Sequence, residues 1–148
     1  MLKGTARIRA AVEALRAKGV AIELLTIEGR PNAEVMQALR DCDLAIDQLY
    51  SDTPMAAFAT EAASVGRPVL VGGYNAGRVA ADASGLPMPP TRFVHPEALE
   101  DALAALAADR AERERLGAAA QAFVAGHWSP SAVGGRLLRL LSGDIPQA

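Results

Sequence analysis

The chain has 148 residues, which is enough for one domain with a single substantial core. Hydrophobic residues make up 51% of the sequence and charged residues 22%, a balance typical of a globular protein. The formal net charge is -2 and the basic residues are scattered, which argues against a nucleic-acid or anionic-membrane surface.

The cysteine content and the hydropathy pattern exclude several further classes. Because Cys42 is the only cysteine, the chain has no internal disulfide and no zinc site built from thiolates. We interpret Cys42 as a small packing residue rather than a nucleophile. The amino terminus lacks the apolar segment of a secretory signal, and no apolar run approaches the roughly 20 residues that cross a bilayer. We therefore expect a cytoplasmic protein without a transmembrane segment.

The first half of the chain begins with alternating helices and strands. Residues 5–18 carry apolar side chains at helical spacing, which predicts a helix. Residues 20–27 (VAIELLTI) are rich in branched aliphatic side chains and predict a strand. A second helix is expected over 32–40 with Asn32 as its cap, and a second strand over 43–49.

The alternation continues to residue 73. The Thr-Pro pair at 53–54 predicts the start of a third helix, because a capping hydroxyl precedes a proline at the first helical position. That helix is expected to end at Gly66, and residues 69–71 predict a third strand closed by two glycines. This order predicts an α/β fold, in which a Rossmann-like parallel sheet is flanked by helices.

The second half begins with an irregular stretch over 73–95, which is either a functional or a mobile loop. Helical spacing then returns, and we expect a C-terminal helical cap over 97–141 of one domain that spans 1–148. The predicted helices are 97–107, 110–125 and 129–141.

Candidate ligand-binding residues lie where strands end. In an open parallel sheet, ligands bind beyond the carboxyl ends of the strands, where helix N-termini converge. The loops at 28–32, 50–54 and 72–77 meet this condition. Lys3, just before the first helix, is either a terminal lysine without a function or a positive charge beside N–H groups that attract phosphate.

Glu61 is a lone carboxylate in a helix of small and apolar residues. We do not expect it to face the core without a partner, because burying an unpaired carboxylate is costly. Two interpretations stay open. The carboxylate is either solvated on the outer face of its helix or hydrogen-bonded to the vicinal hydroxyls of a ribose.

The order of these features resembles the C-terminal domain of GT-B glycosyltransferases of the family-4 type, over nearly the whole chain. The most specific match is 60–70 (TEAASVGRPVL), which is similar to that family's EA-x-A-x-G-x-PV signature. The start at 3–5 (KGT) resembles the beginning of the domain's first helix, and 42–49 (CDLAIDQL) resembles one of its strands. The remaining matches are to the family's C-terminal segments: Leu86-Pro87, 95–99, 113–117, 123–124 and 127–128.

The resemblance implies one half of a GT-B fold, which holds a nucleotide-sugar donor for hexosyl transfer. In that site Lys3 contacts the diphosphate, Glu61 binds the ribose, the turn at 28–31 lies near the base, and 51–54 lies near the sugar and phosphate. No metal and no other cofactor is expected, because positive charge and N–H groups stabilise the leaving diphosphate. The implied site residues are Lys3, Gly4, Thr5, Arg30, Ser51, Asp52, Thr53 and Glu61.

Three features depart from the family pattern. Thr53 stands where many relatives have a second glutamate, and the arginine that usually precedes the Lys-Gly pair would fall before Met1. The strand that feeds the first helix is also missing. That strand is central in a 3-2-1-4 sheet, so its loss leaves 20–27 and 43–49 flanking a gap with unpaired backbone groups. We expect a fragment that re-pairs those two strands or borrows one in a homo-oligomer, such as a strand-swapped dimer.

Two functions stay open. The first is the donor-binding domain of an enzyme, inactive without its acceptor domain, and Lys3 with the 60–70 segment favours it. The second is a non-catalytic oligomerisation or regulatory module derived from the same fold, which Thr53 and the absent arginine favour. A flavodoxin-like or receiver-like domain fits less well, because no acidic cluster and no phosphate loop follow the first strand.

Overall fold

A small open sheet of three parallel strands lies between two layers of helices in the computed structural model, which describes residues 3–77 and 87–143. The strands are β1 (Ala45–Ile46), β2 (Val69–Gly72) and β3 (Arg92–Val94), in that spatial order. The helices are α1 (Thr5–Ala17), α2 (Asn32–Asp41), α3 (Ala57–Ser64), a 3₁₀ turn (Pro96–Ala98), α4 (Leu99–Ala108), α5 (Arg110–His127) and α6 (Pro130–Leu141).

The parallel sheet confirms the predicted α/β class. Ala45 lies opposite Val69 in the β1–β2 pair, and Leu70 lies opposite Arg92 in the β2–β3 pair. β3 falls inside the stretch from 73 to 95 that the sequence pattern left irregular. The sequence pattern does not reveal β3, because the strand has only three residues and only one of them, Val94, is buried.

Both faces of the sheet are covered. Leu70 of β2 packs into a cluster with α1 and α4, whereas Val69 and Val71 pack into a second cluster with α2, α3 and α5. Adjacent residues of a strand point to opposite faces, so a strand buried on both faces needs a continuous apolar run. This requirement explains the sequence of β2.

The prediction of a strand over 20–27 is wrong, because these residues belong to no strand. From 20 to 25 their exposure still alternates between half-buried and exposed, as expected for extended chain. The strand predicted over 43–49 is in the right place, but only Ala45 and Ile46 pair. A strand needs a hydrogen-bonded neighbour, and in the described residues 20–27 has none on either side.

The helix predicted over 32–40 is confirmed, but the capping role predicted for Asn32 and the start predicted for α3 are wrong. Pro31 precedes α2 and Asn32 is its first residue, with an amide that donates to Glu61 instead of capping the helix. α3 begins at Ala57, not at the Thr-Pro pair. The start predicted for α6 is confirmed, because the Ser129 hydroxyl accepts from the backbone N–H of Ala132.

The start of α3 depends on Asp47, which is 3% exposed at the carboxyl end of β1. Its carboxylate accepts hydrogen bonds from the backbone N–H of Ala59, at 3.3 Å, and of Gln48, at 2.9 Å. Ala59 is the third residue of α3, and α3 has no capping side chain of its own. Asp47 therefore supplies from β1 the acceptor that a helix N-terminus requires.

Within residues 3–77 and 87–143, no helix combines the length and the apolar character needed to cross a bilayer.

Replacement of Asp47 by alanine is expected to lower the free energy of unfolding by about 1–3 kcal/mol, because it leaves a buried N–H of α3 without an acceptor. Urea denaturation measures the change. The matched control is Asp43→Ala at an exposed position nearby, which is expected to change stability by less than about 0.5 kcal/mol. Equal effects of the two substitutions would contradict the capping role.

Candidate functional site

The chain enters α1 at the carboxyl end of β1. The backbone N–H of Leu49 donates to the carbonyl of Lys3 at 3.3 Å. This hydrogen bond holds the residue before α1 beside the end of β1. Gly4 is buried there with φ of 71°, and a Cβ at this position would lie 2.9 Å from Leu49 and Tyr50. Only glycine combines that backbone conformation with so close a contact.

The amino end of α1 is open to an anion. Among the described residues no side chain caps this helix, and its first turn carries no acidic residue. Among the described residues, the backbone N–H groups of the first turn have no side-chain acceptor, and Lys3 adds a positive charge beside them.

The loop after β1 is tied to the loop after β2. The carboxylate of Asp52 accepts from the backbone N–H of Asn75 at 2.9 Å and from its side-chain amide at 2.7 Å. Thr53 donates its N–H to the Ser51 hydroxyl and its own hydroxyl to the Ser51 carbonyl. Asp52 has φ of 53°, so the loop holds a non-glycine residue in the left-handed region.

Gly73 makes this junction possible. A Cβ built on Gly73 would overlap the carboxylate of Asp52, so any side chain there would push the two loops apart. The first two site residues of the loop, Ser51 and Asp52, thus depend on a glycine in the following loop.

The remaining predicted site residues form a separate group. Glu61 accepts a hydrogen bond from the side-chain amide of Asn32 at 2.8 Å, and Arg30 lies 3.7 Å from Glu34 in an exposed ion pair. The carboxylate of Glu61 therefore lies at the amino end of α2. In the described residues no hydrogen bond or ion pair links it to Lys3 or to the loop at 51–53.

A groove of about 550 Å³ runs between the segment 21–28 and β1 with its flanks, residues 41–48. Lys3 and Thr5 line the same groove. α2 begins beside Glu61 and ends beside Arg67, which precedes β2 and donates to the carbonyl of Leu39. The end of α2 therefore lies at the amino edge of the sheet, beside the start of β2.

An aromatic cluster at the same edge is not evident from the sequence. The rings of Tyr50 and Tyr74 stack with centroids 6.1 Å apart, and His95 meets Tyr74 edge to face at 4.9 Å. Each of these residues follows a different strand of the sheet. Their shared position directly after a strand is the only sign of the cluster in the sequence. It cannot be recognised until the position of β3 is known.

Two titratable groups near these features have shifted pKa values. Desolvation, followed by the nearby Glu97 carboxylate, raises the pKa of Tyr74, which favours its neutral phenol. Burial raises the pKa of Cys42, whose thiol also lies 3.4 Å from the carbonyl of Leu39. A raised pKa keeps the thiol protonated at neutral pH, and the protonated form reacts slowly, which agrees with a packing role for Cys42.

Comparisons of the chain with models of known protein families, with curated proteins and with solved structures find no match. The residues above are therefore interpreted from their geometry. In the described part of the chain, no group of three or more His, Cys, Asp or Glu side chains is arranged to hold a metal ion.

Replacement of Gly73 by alanine is expected to lower the free energy of unfolding by about 1–3 kcal/mol, because the new methyl group overlaps Asp52. Gly77→Ala is the matched control, since a Cβ there meets nothing within 4 Å. Its expected effect is below about 1 kcal/mol by the same urea denaturation. A tolerated Gly73→Ala would mean that the two loops do not approach as described.

Proposed function

We propose that the chain is the nucleotide-sugar-binding domain of a glycosyltransferase, equivalent to one half of a GT-B fold and dependent on an acceptor domain for hexosyl transfer. The observation that carries the proposal is a single groove lined by Lys3 and Thr5 on one side and by Glu28 on the other. In this proposal the diphosphate lies at Lys3 and Thr5, and Glu61, which does not line the groove, reaches the ribose from the amino end of α2.

The amino end of α1 suits the diphosphate. Its uncapped N–H groups and the charge of Lys3 favour a bound anion, and they would also stabilise the charge that grows on a leaving nucleoside diphosphate. Gly4 supports this role because it lets the backbone turn into α1 beside Leu49.

Glu61 suits the ribose. It is half-buried and accepts one hydrogen bond, from Asn32. A carboxylate can accept about four hydrogen bonds, so capacity is left for two vicinal hydroxyls. Arg30 and the turn around it lie next to Asn32 in sequence, which keeps them near the nucleoside in this proposal.

A second candidate is the non-catalytic module. It is favoured by the loop at 51–53, whose polar groups bond to one another and to Asn75. A loop satisfied in this way has fewer groups to offer a sugar. In the enzyme proposal the partner is a nucleotide sugar and the location is the cytoplasm; in the module proposal the partner is another protein chain.

Titration of the chain with UDP and with GDP by isothermal calorimetry distinguishes the enzyme proposal from the module proposal. The enzyme proposal predicts micromolar binding of one nucleotide, weakened about threefold to tenfold by Lys3→Ala and about tenfold by Glu61→Ala. Each substitution removes a charge or an acceptor that contacts the ligand.

The matched controls are Lys18→Ala and Glu114→Ala, which remove exposed charges paired with Glu100 and Arg110. They are expected to leave nucleotide affinity unchanged. Absence of binding to either nucleotide at millimolar concentration would favour the module, and equal losses in the control variants would remove the proposed site.

A further inference from the structure

The last helix presents its apolar side chains to solvent. Most of the large apolar or aromatic side chains that are exposed among the described residues lie within 128–141. In α6, Leu137 is 57% exposed and Leu141 is 77% exposed, and no residue of the helix is buried. A continuous apolar patch of this kind marks an interaction site.

α6 faces its own chain with small residues instead. It packs against α5, and the half-buried residues of the helix are Ala132, Gly134 and Gly135. A helix of 12 residues with two glycines has little stability of its own, because helices gain most of their stability by packing an apolar face. A surface that covers the leucines would therefore stabilise α6.

The apolar arc of α6 is too wide for a single partner helix. At 3.6 residues per turn, it covers about 160° of the helix circumference. A coiled-coil partner covers a stripe of only two positions in seven, so part of the arc would stay in water. A continuous apolar medium covers all of it at once. The residues of the arc are Val133, Leu137, Leu138, Leu140 and Leu141.

The charge of α6 selects the kind of medium. Arg136 and Arg139 are exposed and lie outside the apolar arc, and no acidic residue lies between 129 and 143. The net charge of -2 argues against an anionic surface for the chain as a whole, but α6 carries the opposite charge. A second copy docked on α6 would bring the arginines of both copies together, whereas anionic lipid headgroups attract them.

We propose that α6 is an interfacial membrane anchor, which binds the surface of a bilayer that contains anionic lipids. The leucines enter the boundary of the acyl chains, and the arginines stay among the headgroups. The helix is about 18 Å long, too short to cross a hydrocarbon core of about 30 Å, so it lies in the plane of the surface.

Trp128 extends this surface. It directly precedes the Ser129 cap of α6, and its ring packs edge to face on Phe123 with centroids 5.4 Å apart. Indole rings favour the headgroup level of a bilayer. The proposal is independent of nucleotide binding, because no residue of α6 lines the groove beside β1.

The test is flotation of the whole chain with vesicles of phosphatidylcholine, either alone or with about one third phosphatidylglycerol. Binding to the anionic vesicles is expected to be tighter by about tenfold or more. Trp128 supplies a second readout, because it is the only tryptophan. Its emission is expected to shift to shorter wavelength when the anionic vesicles bind.

Two double variants separate the apolar contribution from the charge contribution. Leu137→Ser with Leu141→Ser is expected to weaken binding by about tenfold or more, and Met88→Ser at another exposed position is its control. Both leucines are exposed, and circular dichroism checks that the fold is kept.

Arg136→Gln with Arg139→Gln is expected to abolish the preference for anionic vesicles. The matched control, Arg110→Gln with Arg115→Gln, removes the same charge from α5 and is expected to keep that preference.

Several results would overturn the proposal: no flotation with anionic vesicles, equal flotation with neutral vesicles, a serine variant or a glutamine variant of α6 that binds like the unmodified chain, or bound vesicles with unchanged Trp128 emission. A dimer in lipid-free sedimentation that the serine substitutions dissociate would also overturn it, because a second copy would then cover the leucines.

Discussion

One-sided hydrogen bonding of β1 is the constraint on which the rest of the structure depends. β1 is joined to β2 through Ala45 and Asp47, while its other edge faces a groove. Buried backbone groups normally find partners, so an open edge between two helical layers is a costly arrangement. Two residues of β1 pair with β2, and among the described residues 20–27 has no neighbour that would make it a strand.

The carboxyl edge is nevertheless held in place by hydrogen bonds between the segments that meet there. Leu49 holds the start of α1, and Asp47 caps α3 from the end of β1. Asp52 ties the loop after β1 to Asn75 after β2, over a glycine that leaves room for it. A single short strand thus organises two helix N-termini and two loops, which is why the polar features of this chain converge there.

The sequence predicts what depends on local pattern and misses what depends on distant partners. The apolar spacing of α1 and the Ser129 cap of α6 are local, and both are confirmed. Residues 20–27 have strand composition, but in the part of the chain that the structure describes they have no neighbouring strand, and composition alone does not provide one. β3 is too short to show a pattern. Thr53 has the chemistry of a cap, but the acceptor for α3 comes from Asp47, ten residues upstream of the helix.

Among the candidate site residues, Lys3, Gly4 and Thr5 could be grouped from sequence because they are consecutive at a helix start. The contact of Glu61 with Asn32 joins two helices and could not be predicted from either segment alone.

Amide hydrogen exchange along β1 in the free chain tests this hydrogen-bonding pattern most directly. We expect slow exchange at Ala45 and Asp47, whose N–H groups bond to β2, and fast exchange at Ile46 between them. Exchange at Ile46 as slow as at its two neighbours would contradict the one-sided hydrogen bonding of β1.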